Sequence, residues 1–96
     1  MHSLKKIESI SKRIKPRLRE GFKVKKIGIF GSYVHGRQGE SGDIDILVEF
    51  FEPIGWEFID LKEYLERILD IPVNLVTPNG LKSLIRDKIL KDVVFA

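Results

Sequence analysis

Two aspartates separated by one residue, Asp43 and Asp45, open the apolar segment that continues to Phe50. Alternate side chains of a strand point to the same face, so both carboxylates are expected on one face while Ile44 and Ile46 take the other. Two like charges beside a hydrophobic core are unfavourable unless a cation lies between them. The pair therefore predicts a metal site. Mg²⁺ commonly binds one or two carboxylates together with substrate phosphates.

A Gly-Ser pair, Gly31 and Ser32, stands ten residues before Asp43 and directly after another apolar segment. Phosphates are bound by backbone N–H groups and hydroxyls where no bulky side chain intervenes, which Gly31 and Ser32 can provide. Either feature alone is weak, because acidic pairs at strand ends are often only solvated. Together they predict a site for a nucleotide with two Mg²⁺ ions about 3.5–4 Å apart, which position an attacking oxygen and stabilise the leaving pyrophosphate.

The elements that must position these residues follow from the periodicity of the apolar side chains. Three segments are predicted strands: residues 24–30, 44–50 and 73–77. Three are predicted helices: residues 3–20, 56–70 and 81–89, the last of which can extend to Val93. Pro16 predicts a kink or a break in the first helix, and Gly21 its end. The order α-β-β-α-β-α around a small mixed sheet predicts an α+β fold of two layers.

Composition narrows the class of protein. The 96 residues are 43% hydrophobic and 32% charged, which predicts one soluble domain over residues 1–96. The chain has no cysteine, so neither a disulfide framework nor a Cys-based zinc site is expected. No apolar run approaches the roughly 20 residues of a membrane span, and the N-terminal segment lacks a signal-peptide hydrophobic region. A cytoplasmic protein with no membrane partner is expected.

The charge is distributed unevenly. Residues 1–26 contain ten Lys or Arg and two Glu, so they carry +8, and the remaining residues carry −5 to give the net +3. A basic segment could contact RNA, nucleotide phosphates or an acidic protein, and a solvated helix face is an equally good interpretation. No aromatic residue interleaves the charges before Phe22, so an RNA-binding module is weakly supported.

The spacing of Gly31-Ser32, ten residues and Asp43-Ile44-Asp45 resembles the GSx(10)DxD motif of the DNA polymerase beta-like nucleotidyltransferase superfamily. More narrowly, nearly the whole chain resembles the minimal nucleotidyltransferases. The resemblance implies an enzyme of the protein adenylyltransferase type, which transfers AMP from ATP with Mg²⁺ to an acceptor hydroxyl. It implies that Asp43 and Asp45 are catalytic and ligate both metals. It also implies that Gly31 and Ser32 contact the β- and γ-phosphates, with Arg37 supplying a phosphate-facing charge.

The resemblance also implies a partner. Minimal nucleotidyltransferases are typically encoded beside a protein with the HEPN ribonuclease signature, and they resemble antitoxins that adenylylate a tyrosine of that toxin. A HEPN protein is therefore the expected acceptor. The apolar end of the chain, residues 93–96, could contact such a partner, and it could equally belong to the core at a helix end.

One position departs from the pattern of these proteins. They carry a third carboxylate on the third strand, where this chain has Asn74. An asparagine offers a neutral oxygen to a metal and cannot act as a base, so one of the two Mg²⁺ sites is expected to be weakened. Glu49 and Asp70 lie four residues along the chain from Asp45 and Asn74, about 13 Å in a strand, which is too far to substitute. A slow enzyme, an antitoxin that acts only by binding, and a partner that supplies the carboxylate all remain open.

Overall fold

The structure is a computed structural model that describes residues 4–31 and 43–95. Its helices and strands follow one another as α1 (Leu4–Phe22), β1 (Val24–Phe30), β2 (Ile44–Phe50), α2 (Glu57–Leu69), β3 (Val73–Val76), α3 (Ser83–Asp92) and β4 (Val94–Phe95). A single 3-10 turn, Pro78–Gly80, precedes α3. Of the helices in the described residues, none combines the length and the apolarity needed to span a membrane.

The four described strands form one mixed sheet in the order β3-β2-β1-β4. Strand β1 pairs antiparallel with β2 and with β4, whereas β2 and β3 run parallel. Parallel neighbours need a crossover connection, and α2 provides it between β2 and β3. The predicted α+β fold with a mixed sheet is confirmed.

Helices α1 and α2 cover one face of the sheet. In β2, Ile44, Ile46 and Val48 belong to the hydrophobic core, so alternation places Asp45 and Glu49 on the opposite face. The core residues are fully or almost fully buried: Ile7, Leu18, Val24, Ile27, Ile29, Ile44, Ile46, Val48, Leu61, Leu65, Leu69, Val73 and Leu75. The core therefore fixes which face of β2 presents its carboxylates.

Helix α1 is continuous through Pro16, so of the two predicted alternatives, a kink or a break, the break does not occur. Proline removes one backbone donor and crowds the preceding turn. Buried side chains on both sides of it, Ile7 and Leu18, hold the two halves of the helix against the same core. Packing of an amphipathic face generally outweighs local propensity. The helix ends at Phe22, one residue beyond the predicted stop, and Lys23 follows in the left-handed region with φ 60°.

Strand β4 was not predicted from the sequence. Val94 and Phe95 pair with Ile29 and Gly28 of β1, so this apolar end of the chain extends the sheet. A Cβ at Gly28 would lie 2.5 Å from Val93 Cγ2 and 3.0 Å from Phe95 Cδ1. The missing side chain of Gly28 therefore makes room for the C-terminal segment.

Glu66 connects the end of α2 to the start of β3. The Val73 N–H donates to Glu66 Oε2 at 2.9 Å, and Lys62 Nζ lies 3.5 Å from the same oxygen. The Val73 hydrogen bond, with a smaller effect of Lys62, lowers the pKa of Glu66 below its ordinary value. Because Val73 precedes Asn74, this contact helps to fix the strand that carries the amide.

A carboxyl group whose pKa is lowered on folding stabilises the fold above its unfolded pKa, and this stabilisation is lost as the pH falls through the folded pKa. We therefore expect Glu66→Gln to lower the melting temperature at pH 7, and the difference from the wild-type chain to shrink as the pH falls below the ordinary Glu pKa of about 4.3 and through the lower folded pKa. Thermal melts between pH 3 and pH 8 would test this. The matched control is Glu63→Gln, at an exposed position of the same helix. An equal difference at every pH would contradict the expectation.

Candidate active site

Asp45 and Asn74 lie side by side on the face of the sheet opposite the core residues of β2. They are direct partners in the register of the parallel strands β2 and β3. Neighbouring strands are about 4.8 Å apart, so side chains at paired positions on the same face come into contact. Asp43 immediately precedes β2 and, two residues from Asp45, joins the same group. Strand pairing thus brings Asn74 to two aspartates that lie 31 and 29 positions before it in the sequence.

The amide of Asn74 lies between the two carboxylates. Its Nδ2 donates to Asp45 Oδ1 at 3.0 Å and to Asp43 Oδ2 at the longer distance of 3.5 Å. The side chain of Asn74 is exposed, and Asp43 and Asp45 are half-buried. A donor between two anionic acceptors reduces the repulsion that their proximity creates. A cation is expected in this position from the sequence, and the structure contains an amide donor there.

Gly31 makes a close approach to the Asp45 carboxylate. It follows Phe30, the β1 residue paired with Asp45, and its φ of +77° lies in the left-handed region. A Cβ at this position would collide with Asp45 Oδ2. Only glycine satisfies both requirements, because it adopts positive φ freely and has no side chain. The start of the Gly-Ser segment is therefore fixed beside Asp45, whereas Ser32 and Arg37 lie outside the described residues.

The donor set suits a hard divalent cation. Two carboxylates and the Oδ1 of an amide are the oxygen ligands that Mg²⁺ and similar ions prefer. Because Gly31 has no side chain, the Asp45 carboxylate has room beside the end of β1. Within residues 4–31 and 43–95, no group of three or more His, Cys, Asp or Glu side chains could hold a metal ion. The side chain that joins the two aspartates is the amide of Asn74.

Glu49 and Asp70 do not join this group. Glu49 pairs with Lys26 toward the other end of β2, and Asp70 forms the left-handed cap at the end of α2 with φ 59°. The described residues also line a cavity of about 610 Å³ beside Glu49, whose lining includes Lys25, Phe51, Thr77 and Asn79. None of Asp43, Asp45 or Asn74 lines it. We place the candidate site at the aspartates because that is where the oxygen donors converge.

Comparison with known proteins identifies the family of the chain. Residues 11–96 match the family model of the nucleotidyltransferase domain. The chain is 49% identical over 96 residues to the protein adenylyltransferase MntA of Thermococcus cleftensis. The aligned region covers 99% of this chain and 97% of that protein. Nucleotidyltransferases of this kind generally use divalent metals.

Two solved structures extend the similarity. One, a provisionally named minimal nucleotidyltransferase, has a TM-score of 0.75 and 27% identity, with 92% of this chain and 93% of that chain covered. The other is a toxin–antitoxin with AMP-PNP, with a TM-score of 0.72 and 26% identity. The similarity covers 88% of this chain and 70% of that chain. Further structures with this fold include an MNT antitoxin in complex with a HEPN toxin. The chain belongs to the nucleotidyltransferase domain family, as a homologue of the minimal nucleotidyltransferases named protein adenylyltransferases.

Proposed function

We propose that the chain is a Mg²⁺-dependent protein adenylyltransferase that transfers AMP from ATP to a hydroxyl group of a HEPN toxin, and that it acts as the antitoxin of that toxin. The observation that carries the proposal is the convergence of Asp43, Asp45 and Asn74 beside the backbone of Gly31. The near full-length similarity to MntA supports the same activity. Because ATP is the donor, we place the reaction in the cytoplasm.

The chemistry of each site residue determines its role. Asp43 and Asp45 supply the carboxylates that hold the cation, and Asn74 supplies at most a neutral oxygen. Gly31 and Ser32 present a backbone N–H and a hydroxyl to the phosphates, and Arg37 adds a positive charge. When bound, the metal neutralises phosphate charge and so favours departure of pyrophosphate. The family resemblance is the basis for the roles of Ser32 and Arg37.

In the transfer itself, the acceptor oxygen forms a bond to the α-phosphorus of ATP, and the bond from that phosphorus to the β-phosphate bridging oxygen breaks. The products are an AMP ester of the acceptor and pyrophosphate. The hydroxyl proton must leave the acceptor oxygen during this step, and Asn74 cannot receive it. We therefore expect slow transfer compared with an otherwise equal site that carries a carboxylate at position 74.

A protein partner is supported by the apolar surface of α3. None of the residues of this helix is buried, and Leu84 and Ile85 are 87% and 51% exposed. Contiguous exposed apolar patches mark surfaces that bind other proteins, and Leu84 and Ile85 would supply the apolar side chains of such a patch. This surface also favours a second candidate function, in which the chain neutralises the toxin by stable binding alone.

We expect Leu84→Asp with Ile85→Asp to weaken the complex with the HEPN partner by about 10- to 100-fold, since buried apolar anchors at interfaces commonly contribute 1–3 kcal/mol. Titration calorimetry or biolayer interferometry with the purified partner would measure this. Ser83→Asp, at an exposed polar position of the same helix, is the matched control. Unchanged affinity of the double variant would remove α3 from the interface.

Modification and sequestration are distinguished by the partner's ribonuclease activity. The partner is incubated with catalytic amounts of the chain, with and without Mg-ATP, and RNA cleavage is measured after the chain is removed. Lasting inhibition that requires ATP supports AMP transfer. Inhibition that needs a stoichiometric amount of chain, ignores ATP and disappears on removal would overturn transfer and favour sequestration.

A further inference from the structure

We propose that Asn74 is a positioning residue whose amide holds Asp43 and Asp45 in place before any cation arrives, and that it thereby makes the site accept one divalent ion where three carboxylates would accept two. This inference rests on the proposed function only for the identity of the site. Its claim concerns the free protein and the number of ions bound. Both can be measured without any transfer of AMP.

The direction of the hydrogen bonds follows from the chemistry of the groups. Two ionised carboxylates can accept hydrogen bonds but cannot donate them, so only the NH₂ side of an amide can face both. The structure has this arrangement, with Nδ2 at 3.0 Å from Asp45 Oδ1 and 3.5 Å from Asp43 Oδ2. The two N–H bonds of one amide nitrogen therefore serve one carboxylate each.

The backbone makes this contact difficult to avoid. Asp45 and Asn74 are register partners on adjacent strands, and Val73, next to Asn74, is fixed by its hydrogen bond to Glu66. On the other side, the backbone of Gly31 limits where the Asp45 carboxylate can move. Asp45 is thus confined by Gly31 on one side and by the amide of Asn74 on the other. The free protein keeps the aspartates close to the positions that a cation requires.

A carboxylate at position 74 would have the opposite effect on the free protein. Three anionic groups would converge where one amide now donates twice, and like charges at this distance repel. Such a site is unstable until cations enter it, whereas the existing pair is balanced by a single divalent charge. Rotation of the amide about its last bond would exchange Nδ2 for Oδ1 and so offer the arriving ion a neutral ligand.

The test compares the wild-type chain with Asn74→Asp and Asn74→Ala. Asn79→Asp makes the same chemical change at an exposed position of the 3-10 turn and serves as the control. Melting temperatures are measured in EDTA and in MnCl₂, and bound Mn²⁺ is counted by electron paramagnetic resonance with AMP-PNP present. Neither readout depends on catalysis.

We expect both position-74 variants to melt several degrees below the wild-type chain in EDTA. Addition of Mn²⁺ is expected to raise the melting temperature of Asn74→Asp more than that of the wild-type chain, Asn74→Ala or Asn79→Asp. One Mn²⁺ per chain is expected for the wild type and two for Asn74→Asp, with Asn79→Asp like the wild type. If Asn74→Asp does not fold, the melting temperature of Asn74→Ala in EDTA still tests whether the Asn74 amide holds the two aspartates in place. Melting of Asn74→Ala at the wild-type temperature in EDTA, or two ions on the wild-type chain, would overturn the proposal. Failure of AMP transfer with these results intact would count only against the proposed function.

Discussion

The double variant Asp43→Ala with Asp45→Ala is expected to transfer AMP at least about 10³-fold more slowly than the wild-type chain, because several kcal/mol of charge stabilisation are lost and each 1.36 kcal/mol is tenfold in rate. Both carboxylates converge on the amide of Asn74, and without them no other described acid reaches this point. Labelled AMP incorporation into the HEPN partner from Mg-ATP would measure the loss.

The matched control for this variant is Glu49→Gln. Glu49 lies on the same strand and face as Asp45, but it pairs with Lys26 at the far end of β2. We expect its removal to leave transfer unchanged, because its carboxylate is about 13 Å along the strand from Asp45. The aspartates would not form the reaction centre if the double variant transferred AMP at a rate within about tenfold of the wild-type rate. The same conclusion would follow if Glu49→Gln slowed transfer as much as the double variant does.

The second large effect is expected from Gly31→Ala. An L-residue at φ +77° costs about 1–2 kcal/mol, so the melting temperature should fall by several degrees. The added Cβ would collide with Asp45 Oδ2, which must then move. Displacement of a catalytic group by about 1 Å can cost 10²-fold in rate, and we expect a loss of AMP transfer of this order.

Gly21→Ala is the control, since a Cβ at Gly21 would meet no atom within 4 Å and the residue lies in α1. Alanine favours a helix over glycine by about 0.5–1 kcal/mol, so this variant should melt at or above the wild-type temperature with full activity. Melts and transfer assays on the two variants side by side separate strain from site damage. Full transfer by Gly31→Ala would contradict the contact that the structure places beside Asp45.

Local pattern was sufficient to predict part of the arrangement of side chains at the candidate site. The alternation of side chains in β2 predicts that Asp43 and Asp45 share a face, and the buried Ile44 and Ile46 on the other face agree with it. This inference needs only the two-residue period of a strand, which is a property of the backbone. Gly31 was likewise identified as a place where another group approaches the backbone closely, but the Asp45 carboxylate was not identified as its neighbour.

The contacts across strands could not be predicted in this way. That Asn74 stands opposite Asp45 depends on the parallel register of β2 and β3, and that Gly31 meets Asp45 depends on the antiparallel register of β1 and β2. Register is set by packing of the whole sheet and by the connections between strands, which no single segment encodes. The donation from the amide to both carboxylates was missed for the same reason.

Short and interrupted elements were the other source of error. Strand β4 has two residues, too few for alternation to be recognised, and it exists because Gly28 leaves room for Val93 and Phe95. Helix α1 continues through Pro16 because tertiary packing at Ile7 and Leu18 outweighs a local penalty. In both cases the decisive interaction is distant in the sequence.

The measurement that tests the proposed function most directly is the intact mass of the HEPN partner after incubation with this chain and Mg-ATP. The proposal predicts an increase by one or more AMP units on the partner, slow with the wild-type chain, faster with Asn74→Asp and absent with the double aspartate variant. A partner of unchanged mass with both the wild-type chain and Asn74→Asp would contradict AMP transfer. Any inhibition of the partner's ribonuclease activity would then have to come from binding of the chain alone.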